Sequence, residues 1–417
     1  MKNGQYFGYR KDDKSYPAGI QAFKKDQLSE AEITSASKLQ DACFNYLNGI
    51  PVFSFDNDGY MYMLTKIGNG ICVLSSFKNT ADGVEKEKDY DIYSMLKEKF
   101  GSDYFYLATE REGFTCFDGY ILFVFSDFSD EDSEKLYFGA VNVTDGSLLC
   151  SEALNLGEEK RISLLSGYND NGVKKLFVQE NVYVESAKPV VTLKALTIDF
   201  DTENALLKVE GEAETLLENP PAFSDLQIIG DKCYILASEG GIFSSVQKMY
   251  GENFYKPAPY YLGDDGLKHF IAPIHSALLK FNLKTKTFEN WKNGSTELGA
   301  YKFSGEHYEY KYTDFQNQGY EKVNGDVYTF APLEHKDEYF YKARKIVGRK
   351  QDELIIADDG AYFEFWDDKD GNTKTKNCKN INRVVSVNLK DESMSCVDVN
   401  VGFTGTVVTG SGYTGID

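Results

Sequence analysis

Three of the four histidines, His269, His275 and His307, fall in one tyrosine-rich stretch, with Tyr255, Tyr260, Tyr261, Tyr308 and Tyr310 close to them in sequence. Rings with polar edges stack on sugars or on flat aromatic ligands, and Lys256, Lys268 and Lys311 could meet an acidic group on either. These eight aromatic and imidazole side chains are the predicted ligand contacts; the competing reading is that they merely pack the stretch onto the rest of the molecule. No metal site is predicted. His269 and His275 are separated by Pro273 at a spacing that suits no helical pair, and no neighbouring cysteine or carboxylate is expected to complete a tetrahedral set. The acidic turns Asp56 to Gly59 and Asp367 to Gly371 lack the first and twelfth ligands of a calcium loop and read as hairpin turns.

Catalytic motifs are scarce. The chain has no nucleophile elbow, no paired-histidine zinc motif and no phosphate loop, so no cofactor is expected, although a carboxylate pair for glycoside cleavage could meet in space among the 65 acidic residues. The net charge of −20 repels phosphate backbones and anionic lipid, which makes nucleic acid and membrane surfaces poor partners. No apolar run is long enough for a transmembrane helix, and Met1 to Lys14 is polar. The chain is read as cytosolic or, preferably, as an envelope protein whose signal has been removed. Seven cysteines without a CxxC pair sit mostly in apolar runs, which reads as buried thiols rather than a disulfide framework.

The elements that must position those residues are strands. Between Gly113 and Glu152 the sequence writes out four of them, Phe114 to Phe117, Tyr120 to Phe128, Leu136 to Val143 and Ser147 to Glu152, with Asp118-Gly119 and Asp145-Gly146 as hairpin dipeptides. The middle two are almost continuously apolar, so both faces must be covered. Similar meanders are predicted over Ala42 to Phe77, Arg161 to Val209, Phe223 to Trp291, Gly319 to Ile346 (with Asn324-Gly325 as a hairpin) and Leu354 to Val399. Asp82 to Phe100 is read as a helix stopped by Gly101. Outer hairpins repeat a marker, Asn142, Asp199, Asn282 or Asn388, set between apolar residues before a turn. A four-stranded sheet covered on both faces and repeated is a propeller blade. The expected fold is therefore all-β, a single propeller domain of seven blades, six or eight being the alternatives. Residues 1–40 and 400–417 would close the ring in one blade, and residues 41–399 would form the other six.

The long connections Lys78 to Asp103, Glu239 to His275 and Lys292 to Gln318 emerge on one rim, which is the expected binding face. The N-terminal run QYFGYRKDD, then GIQAFKKDQLSEAEITSAS, then ACFNYLNGIPVFSF resembles the opening of propeller lipoproteins of unknown-function type from gut Bacteroidota. That resemblance implies capture of an iron-siderophore complex beside an outer-membrane transporter. The expected function is thus non-catalytic capture of a small molecule or glycan. A protein-interaction propeller, which would carry an exposed apolar patch on that rim instead of a concave aromatic pocket, and a propeller glycoside hydrolase or lyase, whose carboxylate pair would meet at the central channel, are the alternatives.

Overall fold

The computed structural model describes residues 5–10, 19–24, 50–57, 60–67, 71–80, 83–102, 104–107, 113–130, 133–154, 160–183, 189–239, 258–312, 316–350, 352–398 and 407–409. In the stretch that best announces itself, Phe114–Phe117, Tyr120–Asp130, Ser133–Asn142 and Leu148–Cys150 pair antiparallel in chain order. The first hairpin turns on Asp118 at φ 51° and Gly119 at φ 75°, the two left-handed residues a tight right-twisted hairpin needs. Alternation then sends neighbouring side chains to different cores. Ile121, Phe123 and Phe125 join Ile92 and Leu96 on one face, while Leu122 and Val124 join Leu164, Leu176 and Val178 on the other. Each such aromatic or aliphatic side chain contributes about 1.5–3 kcal/mol on burial, which explains why a strand between two cores carries no polar face.

Four further sheets repeat this order. One is Ile50–Asn57, Tyr60–Ile67, Ile71–Thr80 and Gly83–Asp91; the next is Lys160–Asp170, Val173–Val182, Val190–Asp201 and Leu206–Glu218. Phe223–Ile229, Lys232–Glu239, His275–Asn282 and Thr287–Glu289 follow, then Ala343–Lys350, Glu353–Asp367, Thr373–Asn388 and Met394–Asp398. Gln5–Arg10 pairs with both Gly19–Lys24 and Val407–Thr409, so the two ends of the chain share a sheet. First strands of successive sheets lie side by side: 114–117 with 160–170, 160–170 with 223–229, 223–229 with 343–350, 343–350 with 407–409, and 407–409 with 50–57. Radially repeated, curled meanders whose first strands line a common centre are a β-propeller, and that is the fold of this protein.

The marker turns are one conformation used repeatedly. Oδ1 of Asn142 accepts from the backbone N–H of Thr144 and Asp145, that of Asn282 from Lys284 and Thr285, and that of Asn388 from Lys390 and Asp391. Four residues after each asparagine the backbone is left-handed, at Gly146, Lys286 and Glu392. In the remaining hairpin it is Asp201, not Asp199, that accepts from Asn204 and precedes left-handed Ala205 by four. The turn's hydrogen bonding, rather than the apolar flanks, defines the position.

Three expectations are corrected. Gly83–Asp91 is a strand that completes its sheet, and the helix occupies Ile92–Phe100, capped by the Asp91 side chain on Ser94 N and stopped by Gly101 at φ 69°. The segment 83–91 carries charge without a helical apolar face, which suits an edge strand. Asn324-Gly325 is not a hairpin: it lies inside Gln318–Tyr328, with Asn324 opposite Glu306 and Gly325 opposite Gly305 of Lys302–Tyr312. The predicted meander over Gly319 to Ile346 therefore does not form. Instead Lys302–Tyr312, Gln318–Tyr328, Tyr260–Leu262 and Lys268–Phe270 make a side sheet on the long strands 353–367 and 373–388. Among the described residues, two of the three predicted long loops thus contribute strands to this side sheet, 260–262 and 268–270 from one and 302–312 from the other. Cys116, Cys150 and Cys233 are buried free thiols and Cys396 is half-buried; Cys43, Cys72 and Cys378 lie outside the side chains described.

Candidate functional site

The side sheet builds a cleft against the end of the 353–388 hairpin. Tyr260–Leu262 and Lys268–Phe270 pair through a tight turn in which Gly263 N donates to Leu267 O and Gly266 N to Gly263 O. The register puts His269 opposite Tyr261, and their rings stack at 5.2 Å; Tyr261 in turn stacks on Phe303 at 5.0 Å. These rings, with Tyr301, Tyr362, Glu334, Glu364 and Lys376, line a cleft of about 490 Å³, the scale of a small-ligand site.

Its polar groups come from two places. Glu364 and Lys376 are direct cross-strand partners. Lys376 Nζ is 3.1 Å from Glu364 Oε2, and Tyr362 Oη donates to Glu364 Oε1 at 2.7 Å, so both carboxylate oxygens are held. Burial first, and then its hydrogen bond to Glu364, push the Tyr362 phenol well above its ordinary range, which keeps it a donor. Burial and then the Glu364 charge raise Tyr261 as well; Tyr301 is raised by burial, then by Tyr339 and Glu334. Glu334 is exposed, in the first turn of the 3-10 segment Leu333–Glu338, and makes no ion pair among the described residues.

That segment is fixed from beneath. Arg383 and Asp358, both fully buried, are paired at 2.8 Å, and Arg383 also donates to the carbonyls of Lys336 and Tyr339. Asp358 accepts from the backbone N–H of Tyr341 and Lys342, and Tyr341 Oη donates to Ala331 O at 2.8 Å. A buried charge pair that also bonds backbone groups from both partners is a rigid anchor for the lip that carries Glu334.

The predicted contact residues fall into several places. Tyr261 and His269 line the cleft. Tyr260 is buried and stacks on Tyr308 at 4.9 Å, and Tyr320 packs edge-on against both Tyr260 and Tyr310. His307 is wholly buried, with Nδ1 2.9 Å from Gly305 O and Nε2 3.2 Å from Glu309. The His275 ring packs tilted against Tyr328 at 4.1 Å; its Nε2 lies 3.1 Å from Glu297 Oε1 but out of hydrogen-bond alignment. Tyr255 lies outside the described residues. No group of three or more histidine, cysteine or acidic residues among the described residues could hold a metal. Sequence reasoning missed Phe303, Glu334, Tyr362, Glu364 and Lys376, and it passed over Asp265, whose carboxylate is 3.0 Å from His269 Nε2. The available signal was a glutamate alternating with aromatics in AYFEFW, a charge on a strand face that should be apolar.

A family profile described as the TdpA C-terminal domain matches residues 319–407, a stretch that includes Glu334, Glu364 and Lys376 but not the Tyr261–His269 hairpin. Comparison with curated proteins gives no match. Among solved structures the chain is similar to a levansucrase complexed with sucrose, at 12% identity and TM-score 0.38 over 86% of each chain. It is also similar to the periplasmic gluconolactonase of Pseudomonas aeruginosa, at 10% identity and TM-score 0.35 over 97% of this chain and 98% of that one. A thermostable family-43 glycoside hydrolase is similar at 10% identity and TM-score 0.37, over 87% and 98%. By name these are a levansucrase, a gluconolactonase and a glycoside hydrolase, and the expected non-catalytic siderophore or glycan capture beside a transporter is corrected on that finding. The lipoprotein resemblance finds no counterpart among them. No helix among the described residues is long and apolar enough to cross a membrane.

Proposed function

We propose that this propeller cleaves a glycosidic bond in the cleft between its side sheet and the 353–388 hairpin. The observation that carries the reading is Glu364, a carboxylate held at both oxygens by Tyr362 and Lys376 inside an aromatic-walled cleft that also contains Glu334. Tyrosine and histidine rings offer apolar faces to a sugar ring and polar edges to its hydroxyls. A fixed carboxylate stabilises the positive charge that builds at the anomeric carbon, and a second carboxyl group protonates the leaving oxygen. Glu364 takes the first role because its partners immobilise it; Glu334, exposed on the lip, takes the second.

A panel of 4-nitrophenyl glycosides and plain oligosaccharides, read by released nitrophenol and by reducing ends, tests this. At least one class should turn over, with kcat falling about 10²–10⁴-fold in Glu364→Gln and Glu334→Gln while KM changes little. Turnover that survives Glu364→Gln would sink the assignment.

A further inference from the structure

His269 belongs to the cleft wall and is also tied from one side to a carboxylate. Both oxygens of Asp265 lie near its Nε2, at 3.0 and 3.1 Å. Asp265 is itself oriented, since its Oδ1 accepts from Leu267 N at 2.9 Å. That backbone bond, and then the bond to His269, hold the Asp265 carboxyl below its ordinary range. An ionised carboxylate only accepts, so neutral His269 carries its proton on Nε2 and leaves the Nδ1 lone pair unprotonated. The turn leaves room for this contact: a Cβ on Gly263 would lie 2.5 Å from His269 Nε2 and 2.6 Å from Asp265 Oδ1. Tyr261 stacks on one side of the imidazole ring and holds its orientation. Carboxylate, oriented imidazole and cleft in that order form the base half of a catalytic triad, without its nucleophile.

We propose that His269, oriented by Asp265, is the catalytic base of the cleft. The assignment deepens the glycosidase reading and rests on it for its chemistry. Nδ1 of His269 takes a proton from a water molecule as the water oxygen bonds to the anomeric carbon. The bond from that carbon to the leaving oxygen breaks with its electron pair, and the leaving oxygen takes the proton of Glu334. Glu364 is not consumed and faces the charge developing on the sugar. A histidine base thus does the work that a second carboxylate does in most inverting glycosidases.

The experiment labels the whole protein with diethyl pyrocarbonate, which acylates neutral imidazole nitrogen, and reads each histidine by peptide mass spectrometry. His335, half exposed on the surface, is the reference, and fully buried His307 reports any unfolding. Relative to His335, labelling of His269 should rise about fivefold or more in Asp265→Ala, where Nε2 is no longer covered by the carboxylate and is open to acylation. Gly263→Ala, which keeps both groups and forces them apart, should act in the same direction; it carries the test if Asp265→Ala exposes His307. Labelling of His269 unchanged in folded Asp265→Ala and Gly263→Ala overturns the dyad. On a glycoside that turns over, His269→Gln should lower kcat about 10²–10⁴-fold with little change in KM, and full kcat in that variant overturns the base. A panel with no turnover removes the glycosidase reading, while the labelling ratios still decide the dyad.

Discussion

Glu364 and Lys376 meet because two antiparallel strands set them opposite each other, and Tyr362 reaches the same carboxylate by alternation along one strand. These side chains are made useful by their neighbours rather than by their identities. Tyr362→Phe should remove the donor to Glu364 and cost about 1 kcal/mol of stability, read by urea unfolding, with a larger loss in turnover than in substrate affinity. Thiol chemistry makes a second residue-level forecast. Burial pushes Cys150 up to about 12 and Cys396 to about 11, and drives Cys116 and Cys233 higher still. Among these four, Cys396 should react first with iodoacetamide in the native state, and Cys116 and Cys233 only on unfolding; prompt labelling of Cys233 would contradict its burial.

At the scale of elements, the recurring turn decides where each outer hairpin reverses. Its asparagine is an acceptor for backbone groups, so Asn142→Ala should cost about 1 kcal/mol by leaving the Thr144 and Asp145 donors to water. Ala205 holds a left-handed conformation at φ 51°, a strain that its single partly buried methyl group does not offset, and Ala205→Gly should raise stability by roughly 0.5–1 kcal/mol. A melting temperature that falls in Ala205→Gly would show that the turn is held differently. The same scale shows the weakness of short sequence signals. Asn324-Gly325 has the composition of a hairpin but lies in a strand, because Lys302–Tyr312 offers a full-length partner and the reversal falls before Gln318 instead.

For the whole molecule, the Arg383–Asp358 pair joins the lip of the cleft to the sheet beneath it. Removing one partner leaves a buried charge, so Arg383→Met should cost about 3–5 kcal/mol, and the double variant with Asp358→Leu should recover part of it. Acid should act through many sites at once. Asp201 titrates at about 2, held down by Lys208 and Asn204, and Glu214, Glu289 and Asp391 are also lowered by their hydrogen-bond partners. Depressed folded values favour the native state above the ordinary carboxylate range and lose that support as pH falls through the folded values. Stability should therefore hold near neutrality and decline from about pH 4.5 towards pH 2, which urea midpoints across that range would measure.

Sequence alone determined the all-β class, the blade-like unit at Gly113 to Glu152, the turn at Asp118-Gly119 and the burial of its central strands. Those properties follow from period-two apolar alternation and from residues that tolerate a left-handed backbone, both of which are local. It also singled out Tyr261 and His269, since a histidine in an aromatic insertion is conspicuous in composition. Tertiary structure alone decided that strands 260–262, 268–270, 302–312 and 318–328 form a side sheet, that Tyr260 and His307 face inward, and that Glu334, Glu364 and Lys376 share a cleft with His269. The physical reason is register. A pairing such as His269 opposite Trp366 is set by strands far apart in the chain, and a shift of one residue would send each side chain to the opposite face.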